Sequence, residues 1–200
     1  WSLELMVNPS VLIPRPDTEL LVQRCLEKCD SDTRIIADLG TGSGAIALAL
    51  ATELPGCDVI ATDASAEAIA VAEINLEAAK LSNVEIRQSD WFESLKSARF
   101  DLIAANPPYV DPLDPHLCGE VRYEPRAALV SGDHGLEDLA IIIRHAPSHL
   151  LDGGWLVVEH GFDQADPVRG LFRAAGFEAV RTCRDLNGNE RVTEGQWNQR

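Results

Sequence analysis

The stretch FDLIAANPPY, residues 100–109, decides the fold expected for this chain. Its first six residues form a short apolar run followed by two prolines, which is typical of a buried parallel strand in an α/β protein. The tetrapeptide Asn-Pro-Pro-Tyr, residues 106–109, then follows the carboxyl end of that strand. Open α/β sheets bind their ligands at this end, so we expect the tetrapeptide to lie at a binding site.

The tetrapeptide carries the groups needed to hold a planar NH₂ group. Pro107 and Pro108 stiffen the backbone and lack N–H groups, so this segment presents carbonyl oxygens as acceptors. The Asn106 side-chain oxygen and the Pro107 carbonyl can each accept one hydrogen of an NH₂ group, while the Tyr109 ring covers its flat face. Such a clamp would act by positioning the nitrogen, not by strong base catalysis. A simple turn beginning at Asn-Pro is the alternative.

A glycine-rich segment, Gly40-Thr41-Gly42-Ser43-Gly44, follows a second predicted strand at residues 34–39. An Ala- and Leu-rich helix comes next and ends before Pro55. Strand, glycine loop and helix together indicate a ligand site, because glycines let the backbone turn tightly and approach a ligand closely. The spacing is G-x-G-x-G and not the G-x-G-x-x-G of dinucleotide-binding proteins, which weakens the case for NAD. A plain connection is the alternative, and five consecutive small residues argue against it.

Two acidic positions follow the glycine loop at predicted strand ends. Asp63 ends a strand that begins at Asp58, and it lies 23 residues beyond Gly40. An acidic side chain about 20 residues past such a loop is placed to accept hydrogen bonds from ribose hydroxyls. Asp90 and Trp91 follow the next strand, where Trp91 can flank an adenine ring and Asp90 can meet its exocyclic amine. A core position is the alternative for Trp91.

The remaining pattern alternates helices and strands. Two short β-type runs, Trp1–Val7 and Val11–Ile13, predict a hairpin within residues 1–14. The helix expected at residues 66–80 has apolar residues at helical spacing, which predicts a buried stripe. This stripe comprises Ile69, Ala72, Leu76 and Ala79. Further helices are expected at residues 17–29, 137–146 and 164–175, and further strands at residues 84–87, 154–159, 178–183 and 191–194. A turn signal at Asn187-Gly188 makes the last pair of strands antiparallel.

The composition favours one acidic globular domain. The 200 residues are 46% hydrophobic and carry a formal charge of −15. No apolar run approaches the ~18 residues of a membrane helix, and no Lys/Arg cluster offsets the repulsion of phosphate backbones, so neither a membrane nor stable nucleic-acid binding is expected. Five scattered cysteines and the lack of a histidine pattern favour a reducing, cytoplasmic setting without a metal site.

An irregular segment rich in Asp and Pro, residues 110–134, follows the tetrapeptide. Loops of this length in compact domains are usually functional, and we expect this one to contact a partner. Glu124 and Arg126 are the candidates for gripping a presented loop. Arg15, held between two prolines, is either a surface charge or part of the ligand pocket.

The elements together predict an α/β protein with a doubly wound, mostly parallel sheet of about seven strands and an antiparallel last strand. This arrangement resembles the Rossmann-like class I S-adenosylmethionine-dependent methyltransferases, in which G-x-G-x-G replaces the dinucleotide fingerprint. Asn-Pro-Pro-Tyr narrows the resemblance to members that methylate planar nitrogens. A set of motifs is together similar to the release factor glutamine methyltransferases. These motifs are residues 12–19 (LIPRPDTE), 38–44 (DLGTGSG), 106–109 (NPPY), 123–125 (YEP) with 128–129 (AL), and 189–192 (NERV).

The resemblance spans essentially the whole chain and implies a reaction. That reaction is the S-adenosylmethionine-dependent methylation of the side-chain amide nitrogen of the glutamine in the Gly-Gly-Gln motif of peptide chain release factors. Residues 40–44, Asp63, Trp91 and Asn106 would surround the cofactor, and residues 106–109 the glutamine amide. The methyltransferase domain would span residues 15–200, with residues 1–14 as a hairpin connector, and the family's helical N-terminal domain is not expected in this sequence.

Two other functions stay open on the sequence alone. Nucleic-acid adenine or guanine amino-methyltransferases also carry motifs like Asn-Pro-Pro-Tyr, but they would need a target-recognition domain or a basic face. A non-catalytic S-adenosylmethionine-binding subunit is the second possibility, and the intact tetrapeptide at residues 106–109 argues against it.

Overall fold

Short apolar segments pair into one seven-stranded sheet in the computed structural model, which describes residues 1–118 and 123–199. The strands are β1 (Ile35–Leu39), β2 (Asp58–Asp63), β3 (Val84–Gln88), β4 (Phe100–Ala105), β5 (Leu150–Glu159), β6 (Glu178–Arg184) and β7 (Glu190–Gln196). The helices are α1 (Thr18–Leu26), α2 (Ala45–Glu53), α3 (Ala66–Ala79), the short α4 (Gly132–Gly135), α5 (Glu137–His145) and α6 (Ala165–Ala174).

The strand order confirms the expected doubly wound sheet. The order is β3-β2-β1-β4-β5-β7-β6, and the first five strands in this order are parallel. The last strand, β7, runs antiparallel to both of its neighbours. From β1, the strands β2 and β3 are added on one side of β1 in the sheet, whereas β4 and β5 are added on its other side. The direction in which strands are added therefore reverses between β1 and β4. A crevice opens at such a reversal, outside the carboxyl ends of the strands.

Successive strand residues pack into two core layers on opposite faces of the sheet. Ile36 and Leu102 pack with buried side chains of α1 and α2. Ile103 and Leu156 pack with buried side chains of α5 and α6. Because helices cover both faces, the central strands are continuous apolar runs and not alternating ones. This double coverage explains why residues 100–105 are so apolar.

The predicted hairpin at residues 1–14 is wrong. These residues, all of which the structure describes, contain no strand and only a turn in which Val11 N donates to Asn8 O at 3.2 Å. Val11 is 2% exposed and packs with Ala68 and Val71 of α3. Val11 therefore packs against a helix, and the segment forms no strand pair.

The side chain of Asn75 in α3 replaces the missing strand partner. Its Oδ1 accepts a hydrogen bond from Met6 N at 2.7 Å, and its Nδ2 donates to Met6 O at 2.9 Å. The same Nδ2 donates to Ser43 O at 2.8 Å. One buried amide thus fixes the N-terminal segment and the glycine loop to the same helix.

Asn75→Ala is expected to lower the free energy of unfolding by roughly 2–4 kcal/mol, because three hydrogen bonds of a buried amide are lost and the buried Ser43 O is left unpaired. Urea denaturation measures this loss. Asn83→Ala is the matched control, since the Asn83 amide also donates to three backbone carbonyls but does not contact residues 1–14. Both variants should lose stability, and only Asn75→Ala should speed amide exchange at Met6. Unchanged exchange at Met6 in Asn75→Ala would contradict the assignment.

Other expectations differ in detail. The predicted helix at residues 17–29 ends at Leu26. The buried face of α3 consists of Ala68, Val71, Ala72 and Asn75, so the predicted stripe is right only at Ala72. The described part of residues 110–134 contains α4 and the 3₁₀ turns Pro115–Cys118 and Arg126–Ala128, as expected of an irregular segment. Within the described ranges, no helix is long and apolar enough to cross a membrane.

Candidate functional site

A cavity of about 370 Å³ opens at the carboxyl ends of the parallel strands. Residues that follow β1, β2, β3 and β4 line it, as the reversal of strand order requires. The predicted site residues among them are Gly40, Thr41, Gly42, Ser43, Asp63, Trp91, Asn106 and Pro108. Gly44, Pro107 and Tyr109 do not line the cavity.

The glycine loop adopts a backbone that its alternate glycines make possible. Gly40, Gly42 and Gly44 have φ values of 73°, 55° and 85°. This left-handed region is strained for residues with a Cβ, so the G-x-G-x-G spacing follows from the loop geometry. The amides of Gly40 and Thr41 both donate to Thr62 O at 2.8 Å, which ties the loop to the end of β2. Gly44 does not touch the cavity and instead caps the start of α2.

Asp38, near the end of β1, anchors the glycine loop through hydrogen bonds of its carboxyl group. Its Oδ2 accepts hydrogen bonds from Thr41 Oγ1 at 2.6 Å and from Ala47 N at 3.1 Å. Burial raises the pKa of Asp38 to about 7, and these two hydrogen bonds oppose the rise. The carboxyl group therefore fastens the loop to α2 without lining the cavity itself.

Asp63 joins the loop to the cavity wall. Its Oδ2 accepts a hydrogen bond from Gly42 N at 2.9 Å, and its Oδ1 accepts one from Ser65 N at 2.9 Å. A carboxylate oxygen has two lone pairs, so each oxygen keeps one after these bonds. Since Asp63 lines the cavity, this leaves acceptor capacity for a pair of neighbouring hydroxyls.

Trp91 forms another wall of the cavity and packs against the glycine loop. A Cβ atom at Gly40 would lie 3.3 Å from Trp91 Cζ3, so glycine is needed there for this approach. Trp91 has a φ of 42°, and Ser89 stabilises this turn because its Oγ donates to Trp91 O at 3.1 Å and accepts from Ser94 N at 2.9 Å. Asp90 also lines the cavity and is exposed. Trp91 and Asp90 therefore lie side by side at the cavity, after the end of β3.

Asn106 enters the cavity with its amide held by α1. Its Nδ2 donates to Thr18 Oγ1 at 3.2 Å, and both residues line the cavity. With the NH₂ end committed to Thr18, the carbonyl end Oδ1 is available as an acceptor on the cavity side. Thr18 is the first residue of α1, so the helix start fixes the orientation of the tetrapeptide.

The other tetrapeptide residues take different positions. Pro107 is buried, and Pro108 lines the cavity. The Tyr109 hydroxyl points into the protein and donates to Glu159 Oε1 at 3.2 Å. Tyr109 O accepts a hydrogen bond from Gln164 Nε2 at 2.9 Å, which fixes the end of the motif. The tyrosine thus anchors the tetrapeptide at its outer end.

Glu159, at the end of β5, is a buried acid that sequence reasoning missed. It is 1% exposed, and its Oε2 has no hydrogen-bond partner among the described residues. Burial raises the pKa of Glu159 to about 7, and the hydroxyls of Thr18 and Tyr109 oppose the rise. Its position at the carboxyl end of the strand next to β4 is the signal that could have found it.

Two loops meet across the mouth of the cavity. Ser10–Pro14 and Pro125–Ala128 contribute lining residues from opposite sides. Glu124 joins them, because its carboxylate accepts from Ile13 N at 3.2 Å and forms an ion pair with Arg15. The Glu124 side chain is 8% exposed, so it is engaged within the protein and not free to grip a presented loop. Arg126 is exposed, and Arg15 acts as the partner of Glu124.

Comparisons with known proteins agree with this geometry. A family model described as the methyltransferase small domain matches residues 16–132, more than half of the chain. A release factor glutamine methyltransferase of Salmonella typhimurium is 52% identical over 198 residues, which cover 98% of this chain and 72% of that protein. One of Pseudomonas aeruginosa is 56% identical over 198 residues, with the same coverage of 98% and 72%.

A solved structure has the same fold. The crystal structure of a methyltransferase from Pyrococcus furiosus matches with a TM-score of 0.74 at 20% sequence identity, covering 100% of this chain and 91% of that one. The structural match supports the α/β methyltransferase architecture, and the sequence matches define the family. The chain belongs to the family of release factor glutamine methyltransferases.

Proposed function

We propose that this enzyme transfers a methyl group from S-adenosylmethionine to the side-chain amide nitrogen of the glutamine in the Gly-Gly-Gln motif of peptide chain release factors. The observation that carries the proposal is the position of Asn106, whose side chain enters the same cavity as the glycine loop and Asp63. The residues proposed for the cofactor and for the acceptor thus line one cavity. The methyltransferase domain is proposed to span residues 15–200.

The cavity fits a nucleoside-type cofactor. Its volume of about 370 Å³ falls within the roughly 300–1,000 Å³ typical of small-molecule sites. We assign the free lone pairs of Asp63 to the ribose hydroxyls and the Trp91 ring with Asp90 to the adenine. Gly40 and Gly42 would approach the cofactor with backbone atoms alone, because both line the cavity and neither has a side chain. When bound, S-adenosylmethionine supplies an electrophilic methyl group on sulfur.

The tetrapeptide is assigned to the glutamine amide. An amide nitrogen is a poor nucleophile because its lone pair is delocalised, so the protein must fix its geometry and stabilise the positive charge that develops on it. Asn106 Oδ1 would accept one of its hydrogens from the cavity side, and the Pro107 carbonyl is assigned the other, although Pro107 itself is buried and does not line the cavity. No backbone N–H of the described residues donates to the Pro107 carbonyl, so this acceptor keeps its capacity. Pro108 would bound the site, and Tyr109 would anchor it.

The acceptor is proposed to be a protein loop and not a nucleic-acid base. A chain with a formal charge of −15 repels a polyanion, whereas a protein partner can present a loop without that cost. A duplex base would also have to be flipped out at a cost of a few kcal/mol. Cys25, Cys29, Cys57 and Cys183 are free, which is in keeping with a cytoplasmic setting for a reaction on translation factors.

The test is a competition with isotope-labelled cofactor at low salt, where binding to nucleic acid is strongest. Release factor, its Gly-Gly-Gln→Gly-Gly-Ala variant, duplex DNA and ribosomal RNA are offered together. We expect label on the release factor alone, at the glutamine of the motif. Label on nucleic acid would favour a base amino-methyltransferase, and equal label on the glutamine-free variant would contradict the assigned acceptor. The absence of label on every acceptor would favour a non-catalytic cofactor-binding role.

A further inference from the structure

Two paths from the tetrapeptide lead to the buried carboxyl group of Glu159. The first is direct, since the Tyr109 hydroxyl donates to Glu159 Oε1 at 3.2 Å. The second runs through Thr18, which accepts from Asn106 Nδ2 at 3.2 Å and whose hydroxyl also acts on the Glu159 carboxyl. Glu159 is 1% exposed, and its Oε2 has no hydrogen-bond partner among the described residues. Oε2 is thus the carboxyl oxygen left without a donor within the described ranges. Burial raises the pKa of Glu159, and Thr18 is, besides Tyr109, the hydroxyl whose hydrogen bonding lowers it.

The chemistry of these groups determines which of them donates and which accepts along the path from Glu159 through Thr18 to Asn106. An ionised carboxylate only accepts hydrogen bonds, and the Thr18 hydroxyl has a single hydrogen to donate. If that hydrogen turns to Oε2, Thr18 Oγ1 can only accept from Asn106. The amide of Asn106 must then present its NH₂ end to Thr18 and its Oδ1 end to the cavity. The opposite orientation would place an NH₂ group against the NH₂ group of a substrate amide.

We propose that Glu159 is a positioning residue that sets the orientation of the Asn106 amide through Thr18 and anchors the tetrapeptide through Tyr109. The inference rests on the proposed function, because the orientation matters only if Asn106 Oδ1 accepts a hydrogen from the substrate amide. Glu159 does not line the cavity, so it acts through these two neighbours and not on the substrate.

This role makes the site sensitive to the protonation of Glu159. A protonated carboxyl donates a hydrogen bond, and the Thr18 hydrogen is then free to turn towards Asn106 and reverse its amide. The other charged groups acting on Glu159 are Arg191 in β7, which favours ionisation, and Asp17 before α1, which opposes it. Because the pKa of Glu159 is raised to about 7, kcat at saturating cofactor is expected to rise between pH 6 and pH 8 and then level off.

The main test compares the wild-type protein with Glu159→Gln, whose carboxamide can offer either an oxygen or an NH₂ group to Thr18. Methyl transfer to release factor should fall at least 10-fold in kcat at pH 8, and the rise between pH 6 and pH 8 should shrink. The affinity for cofactor should change less than about threefold. Asp38 also titrates near pH 7, but it is present in both proteins, so only the difference between the two pH profiles reports on Glu159.

A second measurement needs neither cofactor nor turnover. NMR of the ¹⁵N-labelled protein observes the side-chain amide of Asn106 directly. The two Asn106 Nδ2 hydrogens should shift with pH in the wild-type protein, with a midpoint near 7, and should stop titrating in Glu159→Gln. Thr18→Val should move them in the same way as Glu159→Gln, whereas Thr18→Ser, which keeps the hydroxyl, should leave them at the wild-type position.

Glu194→Gln is the matched control for the loss of a buried acid. Glu194 is 0% exposed in β7 and is bound by Arg24, Lys28 and Arg181, so its variant should lose stability and keep both kcat and the pH profile. For Glu159→Gln we expect no such loss of stability at pH 8. The folded pKa of Glu159, about 7, lies above the usual 4.5, so ionisation of Glu159 lowers the stability of the wild-type protein as the pH rises from 4.5 to 7, and this contribution is absent from Glu159→Gln. The urea midpoint of Glu159→Gln at pH 8 should therefore be no lower than that of the wild-type protein.

The outcomes separate this inference from the proposed function. Normal kcat and unchanged Asn106 resonances in Glu159→Gln would overturn the positioning role, even with release factor confirmed as the substrate. A loss of kcat together with a lower urea midpoint at pH 8 and unshifted Asn106 resonances would reduce Glu159 to a structural residue. If the wild-type protein methylates no release factor, the proposed function fails, and the NMR titration still decides whether Glu159 orients Asn106.

Discussion

Replacing Asn106 with alanine is expected to lower kcat for glutamine methylation about 100-fold, because removal of one preorganised group that stabilises developing charge typically costs 10²–10³ in rate. The lost acceptor matters most when the amide nitrogen gains positive charge, so the effect falls on turnover more than on substrate binding. The only hydrogen bond found for this side chain among the described residues is the one to Thr18, and its loss costs about 1 kcal/mol of stability.

Single-turnover kinetics with saturating cofactor measure this effect. Asn198→Ala is a suitable control, because Asn198 is a half-buried residue outside the cavity lining whose amide donates an exposed hydrogen bond to Glu178. It should keep the wild-type rate. A near-normal rate in Asn106→Ala would mean that residues 106–107 form only a turn, and the assignment of the amide clamp would be abandoned.

The parts of the site that depend on local geometry were predictable from the sequence. The alternate glycines at positions 40, 42 and 44 all have positive φ, which is a requirement of the local backbone of that loop. Asp63 ends β2, and Asn106 follows β4. Parallel strands place their carboxyl ends at one edge of a sheet, so the strand pattern alone brings these residues to one crevice.

The N-terminal segment was mispredicted because its partner lies far away in the sequence. Residues 1–7 and 11–13 have the composition of strands, and propensity alone pairs them with each other. The backbone of Met6 instead pairs with Asn75, which is 69 positions away. The same contact explains the shift of the α3 stripe, since a buried polar residue at position 75 turns that face of the helix inward. A helix face predicted from the spacing of apolar residues leaves out a buried polar residue such as Asn75.

The choice of hydrogen-bond partners inside the site was also beyond sequence reasoning. A tyrosine next to a proposed amide site was expected to cover the substrate, but its hydroxyl is directed to Glu159 instead. Glu124 was expected to meet a partner, yet it joins Ile13 and Arg15 across the cavity mouth. In both cases a long-range contact between loops decides where a polar group points, and no local pattern contains that information.

Asp63→Ala is expected to weaken the binding of S-adenosylhomocysteine, the proposed product, about 10- to 150-fold. Hydrogen bonds to a charged group contribute roughly 1.5–3 kcal/mol, and this free energy corresponds to that range of affinity. Isothermal titration calorimetry measures the change. The carboxylate also binds Gly42 N and Ser65 N, so the substitution loosens the glycine loop as well as removing an acceptor.

A second ligand separates these two effects of the Asp63 substitution. A 2′,3′-dideoxy analogue of S-adenosylhomocysteine lacks both ribose hydroxyls, so it cannot use the free lone pairs of Asp63. In a double-mutant cycle, Asp63→Ala should weaken binding of the natural ligand strongly and binding of the analogue only slightly. The difference between the two losses is the contribution of the hydroxyl contacts. Equal losses for both ligands would show that Asp63 acts through the loop alone, and the ribose would then need another partner.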